Sequence, residues 1–150
     1  MLPTIATRRL LLTPFADTDI NALHEFWCEP EVREYLWDNV EITRARAAEV
    51  VHSSIASITR NGVGNWTIRT RSDHSLIGFC GFTLMKNEID IELMYALRRQ
   101  FWGLGMATES SQAALDWLWS STTFNRIYAQ ADRHTKPPFL CGHVSSGNAP

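Results

Sequence analysis

The sequence predicts a single domain of mixed α/β class, an α+β mixed sheet with helices, on three observations. The chain has 150 residues, 45% hydrophobic and 11% aromatic, enough for one sizeable core and short for two. Apolar residues recur at helical spacing in stretches on either side of the centre, the clearest stripe being Ala47, Val50, Val51, Ser54, Ile55 and Ile58. Between those stretches lie three successive runs of strand character, read as an antiparallel meander.

The elements follow in order. Arg8–Pro14 (RRLLLTP) is a first strand, ended by a proline that cannot donate to a ladder. Asp17 or Thr18 can cap a helix carrying Ile20, Leu23, Phe26 and Trp27, and a short helix spans Glu31–Trp37. Thr43 can cap the next helix, which stops before Asn61-Gly62. The meander is Asn65–Thr70, Leu76–Lys86 and Ile89–Leu97, the latter two joined by a turn at Asn87-Glu88. A helix from about Leu104 to Ser121 is carried by Ala107, Ser111, Ala114, Leu115 and Leu118, and Arg126–Ala131 is a last strand. In condensed form the order is β-α-α-β-β-β-α-β. The domain is assigned to residues 1–131, and 132–150, rich in Pro, Gly and Ser, is assigned to an irregular tail.

Composition narrows the function. A formal net charge of -2, with basic residues scattered in pairs such as Arg8-Arg9, offers no footprint for nucleic acid. Cys28, Cys80 and Cys141 are far apart and form neither a disulfide framework nor a zinc ribbon, a usage suited to the cytoplasm. No apolar run reaches the roughly 18 residues of a membrane span, and the N-terminus lacks the pattern of a cleaved leader. His24, His52, His74, His134 and His143 are isolated, so no metal site is expected; Cys141-Gly142-His143 stands in the tail without partner ligands.

The residues that carry chemistry lie in QFWGLGMATES, Gln100–Ser110. A helix starts with backbone N–H groups that have no partner and with partial positive charge, so its end attracts anions that can reach it. Gly103 and Gly105 remove side chains at that place, letting successive N–H groups approach a phosphate. The pattern is equally compatible with a tight strand-to-helix turn alone, and it is neither a P-loop nor a dinucleotide fingerprint.

The run Ile91–Ser110, IELMYALRRQFWGLGMATES, placed after a meander, resembles the acetyl-coenzyme A (acetyl-CoA) binding segment of the GCN5-related N-acetyltransferases (GNAT). Their Gln/Arg-x-x-Gly-x-Gly/Ala loop is matched by Gln100-Phe101-Trp102-Gly103-Leu104-Gly105. The Glu-Leu-x-Tyr strand, the Trp-Gly-x-Gly turn and the Ala-Thr-Glu after it resemble the ribosomal-protein N-terminal (RimJ/RimL-like) acetyltransferases, as do the opening TRRLLLTP and the strand IGFCGF. The resemblance covers Thr7 to Ala131. It implies that backbone N–H groups from Phe101 through Trp102, Gly103, Leu104, Gly105 and Met106 to Ala107, with Gln100 and Thr108 at either end, hold the pyrophosphate. The edge Met94, Tyr95, Ala96 and Leu97 would pair with the pantetheine arm. Arg98 and Arg99 either attract phosphate or are solvated surface charge, and the Trp102 ring is read as packing.

An α-amino group has a pKa of about 8, so a carboxylate need remove only a weakly held proton. Alternation puts Asp90, Glu92, Met94 and Ala96 on the face away from Ile91, Leu93, Tyr95 and Leu97. In the family, the glutamate of this strand is the proposed base, and Glu92 matches it; a solvent-facing role is the alternative. The N–H near Met94 is the implied oxyanion donor. Trp27, Tyr35 and Trp37 match the region covering the acceptor, or pack in the core.

Relatives continue with Asn-x-x-Ser, a helix and two strands. Here the pattern is lost after Asp132, so no general acid is carried over, and a reading-frame shift just after Asp132–His134 is one explanation. The expected function is acetyl transfer from acetyl-CoA to an amine, a protein N-terminus first. The alternatives are a small-molecule amine acetyltransferase and a non-catalytic remnant that at most binds coenzyme A (CoA). An uncovered last strand is expected to favour self-association.

Overall fold

The computed structural model describes residues 2–129, and the expectations for the tail, for Cys141 and His143 and for the end of the last strand at Ala131 lie outside the described residues. The strands are β1 (Ile5–Ala6), β2 (Leu10–Pro14), β3 (Asn65–Thr70), β4 (Leu76–Leu84), β5 (Ile91–Leu97) and β6 (Ile127–Ala129). The helices are α1 (Ile20–Trp27), α2 (Pro30–Leu36), α3 (Arg44–Asn61) and α4 (Met106–Ser121). They form one sheet in the order β1-β2-β3-β4-β5-β6, antiparallel except for the parallel pair β5–β6 that α4 connects. The mixed α/β class therefore holds. The condensed order is short by β1 and by one of the three helices between β2 and β3.

Local chemistry accounts for the boundaries. Thr43 caps α3 by accepting the Arg46 N–H at 3.1 Å, and Gly62, left-handed at φ 77°, ends it. Asp17 and Thr18 do not cap α1: both lie in a 3₁₀ turn, and the carboxylate of Asp19 accepts the Ala16 N–H at 2.9 Å. The first strand is shorter than expected because Thr7 turns the chain into β1, its N–H donating to the Leu10 carbonyl at 2.9 Å.

Apolar side chains cover both sheet faces. On one, α4 packs Ala107, Ala114, Leu115 and Leu118 on Trp66, Ile68, Phe82 and Leu93. On the other, α1–α3 bring Leu23, Phe26, Trp27, Val32, Ala47 and Val51 onto Phe15, Phe79 and Ala96. This is why β4 is buried over its first seven residues rather than alternating. The register shift between Ile68 and Arg69 inverts the alternation of β4 ahead of Gly78, so Ile77 joins the α4-side core with Cys80 and Phe82 while Leu76 joins Phe79 on the other.

Gly78 faces β5 across the β4–β5 ladder, and an added Cβ would run into the Ala96 carbonyl oxygen. Neither backbone can move without breaking the β4–β5 register of Gly78 on Leu97. Gly78→Ala is expected to cost about 3 kcal/mol, a fall in melting temperature of roughly 10 °C for a chain of this length, read by thermal melts.

Candidate cofactor and catalytic site

Strand β5 delivers the chain to α4 through the 3₁₀ turn Arg99–Phe101 and then Trp102–Gly105. The first i→i−4 bond of α4 runs from the Glu109 N–H to the Gly105 carbonyl at 3.0 Å, so the N–H groups ahead of it head the helix without intrahelical partners. No side chain caps that end. Gly103 and Gly105 have φ of 76° and 77°, which L side chains avoid, and with Leu104 they are exposed. A Cβ on Gly103 would meet nothing within 4 Å, and one on Gly105 would meet only Arg9 Nη2, at 3.5 Å. Neither glycine places a side chain before these N–H groups, the chemistry an anion site needs.

The phosphate-facing set expected from the sequence needs one correction. The N–H groups of Phe101 and Trp102 are committed to the carbonyls of Arg98 and Arg99, at 2.9 and 3.0 Å, so the run of donors starts at Gly103. The Trp102 ring packs against the α4-side core and its Nε1 donates to the Leu97 carbonyl at 2.8 Å, as a packing residue should. Phe101 and Met106 are half-buried against the same core, Ala107 is buried in it, and Gln100 and Thr108 are exposed at either end.

Upstream, the β5–β6 ladder pairs Ile91 with Ile127, Glu92 with Tyr128 and Leu93 with Ala129. From Met94 through Tyr95 and Ala96 to Leu97, β5 runs on from these pairs toward the glycine turn.

Arg98 faces elsewhere. It pairs with Glu29, donates through Nε to the Leu76 carbonyl at 2.8 Å and lies over the Phe26 ring, 5.5 Å from its centroid. It therefore ties β5 to α1 and α2. Arg99 is 70% exposed and 3.7 Å from Glu31, a surface pair.

The cation beside the glycine turn is Arg9. Its Nε donates to Glu109 Oε1 at 2.8 Å, its backbone N–H to Oε2 at 3.0 Å, and its Nη1 to the Leu104 carbonyl at 2.8 Å; Thr7 Oγ1 donates to Oε2 at 2.5 Å. Burial pushes the Glu109 carboxyl up, but the hydrogen bonds from Thr7 and Arg9 and the Arg9 charge outweigh it and hold the group below its ordinary 4.5. A depressed carboxylate contributes stability that is complete above the ordinary value and is lost as pH falls through the lowered one. The stability gap between the native chain and Glu109→Gln is thus expected to be widest near neutrality and to shrink below about pH 4.5, as urea titrations across pH will read.

Glu92 is half-exposed on β5, paired with Thr83 of β4 and Tyr128 of β6. It shares its face with Met94, which packs with the α1–α3 core. The helices cover that face from Met94 onward, and Glu92 ahead of it is half-exposed. Tyr128, 41% exposed beside Glu92, is missed by the sequence reading because only strand register brings the two together. Nearby, a cavity of about 200 Å³ between α3 and the sheet is lined by Ser53, Ser57, Asn65 and Thr83 among others, and the buried Asn65 Oδ1 has no hydrogen-bond partner.

Trp27, only 1% exposed, meets Trp37 at 5.8 Å and Phe79 at 5.7 Å between ring centroids, a core role; the Tyr35 side chain lies outside the described residues. Burial pushes the Cys80 thiol up to about 12, which makes it a poor nucleophile. No helix among the described residues is long and apolar enough to cross a membrane.

A six-stranded mixed sheet whose fifth strand feeds an uncapped helix through a glycine turn is a fold shared with solved acetyltransferases. A family model described as an acetyltransferase (GNAT) domain matches residues 9–136, and the chain belongs to that family. It is 30% identical over 138 residues to an uncharacterised N-acetyltransferase, p20, of Bacillus licheniformis, covering 91% of this chain and 77% of that protein. The fold matches an acetyltransferase of Agrobacterium tumefaciens with a TM-score of 0.73 and 24% identity, over 85% of this chain and 72% of that one. It matches RimL, a ribosomal L7/L12 α-N-protein acetyltransferase solved with CoA, with the same TM-score at 16% identity, over 88% and 77% of the two chains. The protein is an acetyltransferase, and acetyl-CoA is the acetyl donor of the family.

Proposed function

We propose that the chain acetylates a protein N-terminal α-amino group, with the head of α4 as the phosphate site of acetyl-CoA and Glu92 as the base. The carrying observation is the uncapped, glycine-fronted start of α4 directly after the β5 edge. The N–H groups from Gly103 to Thr108 hold the phosphates, and the Met94–Leu97 edge takes the extended arm. The neutral amine attacks the thioester carbonyl carbon, the N–C bond forms as the C–S bond breaks, and CoA leaves as a thiolate that takes its proton from water. Glu92 accepts a proton from the ammonium, directly or through water, so that the amine is neutral. The N–H near Met94 donates to the carbonyl oxygen as charge develops there.

The α-amino acceptor is supported by the likeness to RimL and by the setting of Glu92. That carboxylate is half-exposed on β5, where an extended chain terminus can present its amine. The test is acetyl transfer from radiolabelled acetyl-CoA to a panel of peptides with different first residues, beside the same peptides blocked at the N-terminus and a panel of small amines. Label on free N-termini alone is the expected result. Label on small amines alone replaces the acceptor class, and CoA binding without transfer to any of them replaces catalysis by binding.

A further inference from the structure

We propose that Arg9 is a positioning residue for the phosphate end of the cofactor, acting from behind the glycine turn to aim the Gly105 N–H; the inference rests on the CoA site proposed above. All described peptides are trans, so the Leu104 carbonyl and the Gly105 N–H point in opposite directions from one peptide plane. Arg9 Nη1 holds that carbonyl at 2.8 Å. The Gly105 N–H therefore faces the other side, and the carbonyl oxygen, which would repel an anion, is turned from it. Glycine backbone on either side of Leu104 gives the peptide freedom to rotate, so a tether has something to fix.

Arg9 is itself held. The guanidinium fork spends Nε on Glu109 Oε1 and Nη1 on Leu104, and Glu109 Oε2 gathers the Arg9 N–H and the Thr7 hydroxyl. Glu109 lies in the first turn of α4, and its side chain is 19% exposed against 38% for Arg9. One bidentate network thus locks three pieces together: the β1–β2 hairpin, the glycine turn and the first turn of α4. A lysine offers one ammonium and cannot hold two acceptors in the planar fork.

The experiment measures CoA and pantetheine affinities by titration calorimetry for the native chain, Arg9→Gln, Arg9→Lys, Glu109→Gln and the Arg9→Gln/Glu109→Gln double variant. Melting temperature and circular dichroism of each free variant show that it is folded. Pantetheine lacks the phosphates, so the ratio of the two affinities isolates the phosphate site. Arg9→Gln is expected to lower CoA affinity on the order of tenfold or more and to shrink the CoA-to-pantetheine ratio by a similar factor. Arg9→Lys should fall between, and the double variant should be little worse than either single change, because both break one network. A general loss of structure would lower both affinities together and leave the ratio alone, which overturns the proposal, as does an Arg9→Gln variant that keeps the native ratio. Should Arg9→Gln fail to fold, Arg9→Lys carries the same decision. A native chain that binds no CoA overturns the cofactor reading itself, and the role of Arg9 falls with it.

Discussion

Glu92→Gln is expected to lower acetyl transfer on the order of 10²- to 10⁴-fold while CoA affinity stays at the native value. Glutamine keeps the shape and loses only the basic oxygen. The half-exposed side chain is flanked on the sheet by Thr83 and Tyr128 rather than by a basic residue, so the amide replaces it without a cation left behind on either neighbouring strand. The deficit should also depend on pH with a definite sign. Below a pKa of about 8 the acceptor is mostly ammonium and needs a base; above it the amine is already neutral. The ratio of native to variant rates must therefore shrink as pH rises past that value. Steady-state rates between pH 6 and about 9.5, with CoA titrations at each end, make the measurement. Equal rates for the two proteins across the range would remove Glu92 from the reaction and leave it a solvated strand residue.

How much of this was legible in the sequence depended on how local each cause is. Helix α3 could be read because stripe, N-cap Thr43 and terminal Gly62 all lie within its own span. Strand β3 was found to the residue for the same reason. The glycine turn could be read because its chemistry belongs to the backbone of a few consecutive residues. Two-residue β1 is too short to show a period, and it exists because Ile5 and Ala6 pair with Leu12 and Leu11. The faces of β5 were half legible: alternation sorts its residues into two faces, but that the face of Glu92, Met94 and Ala96 is covered by α1–α3 depends on helices distant in sequence. Arg98 and Arg9 show the sharpest contrast. Proximity in sequence favoured Arg98 for the glycine turn, yet it turns to Glu29 and Leu76, while Arg9 reaches Glu109 from 100 positions away. Nothing in a window around Arg9 distinguishes it from Arg8; only the sheet that brings the β1–β2 hairpin beside α4 does.

Placing a bulky side chain at Gly103 or Gly105 is expected to abolish CoA binding while leaving the fold largely intact. Both residues are exposed, and an added Cβ meets no atom at Gly103 and only Arg9 Nη2, at 3.5 Å, at Gly105, so the cost to the free protein is conformational. At φ of 76° and 77° an ordinary L residue is strained by about 1–2 kcal/mol, which a domain of this size can bear. The cost to the complex is steric and electrostatic, because the new side chain stands in front of the N–H groups at the head of α4. In the native chain, CoA at about 100 times its dissociation constant adds about 2.7 kcal/mol of stability, a rise in melting temperature of roughly 5–10 °C. Gly103→Phe and Gly105→Phe should melt without that rise while their far-ultraviolet dichroism keeps the helical signal. Strain and blockade are separated by Gly103→Asn, since asparagine accepts the left-handed conformation at little cost and carries a shorter side chain. It should retain most of the free-state stability and an intermediate ligand shift. If both phenylalanine variants bind CoA as the native chain does, phosphate does not sit at the head of α4, and the glycines serve only to turn the chain from strand to helix.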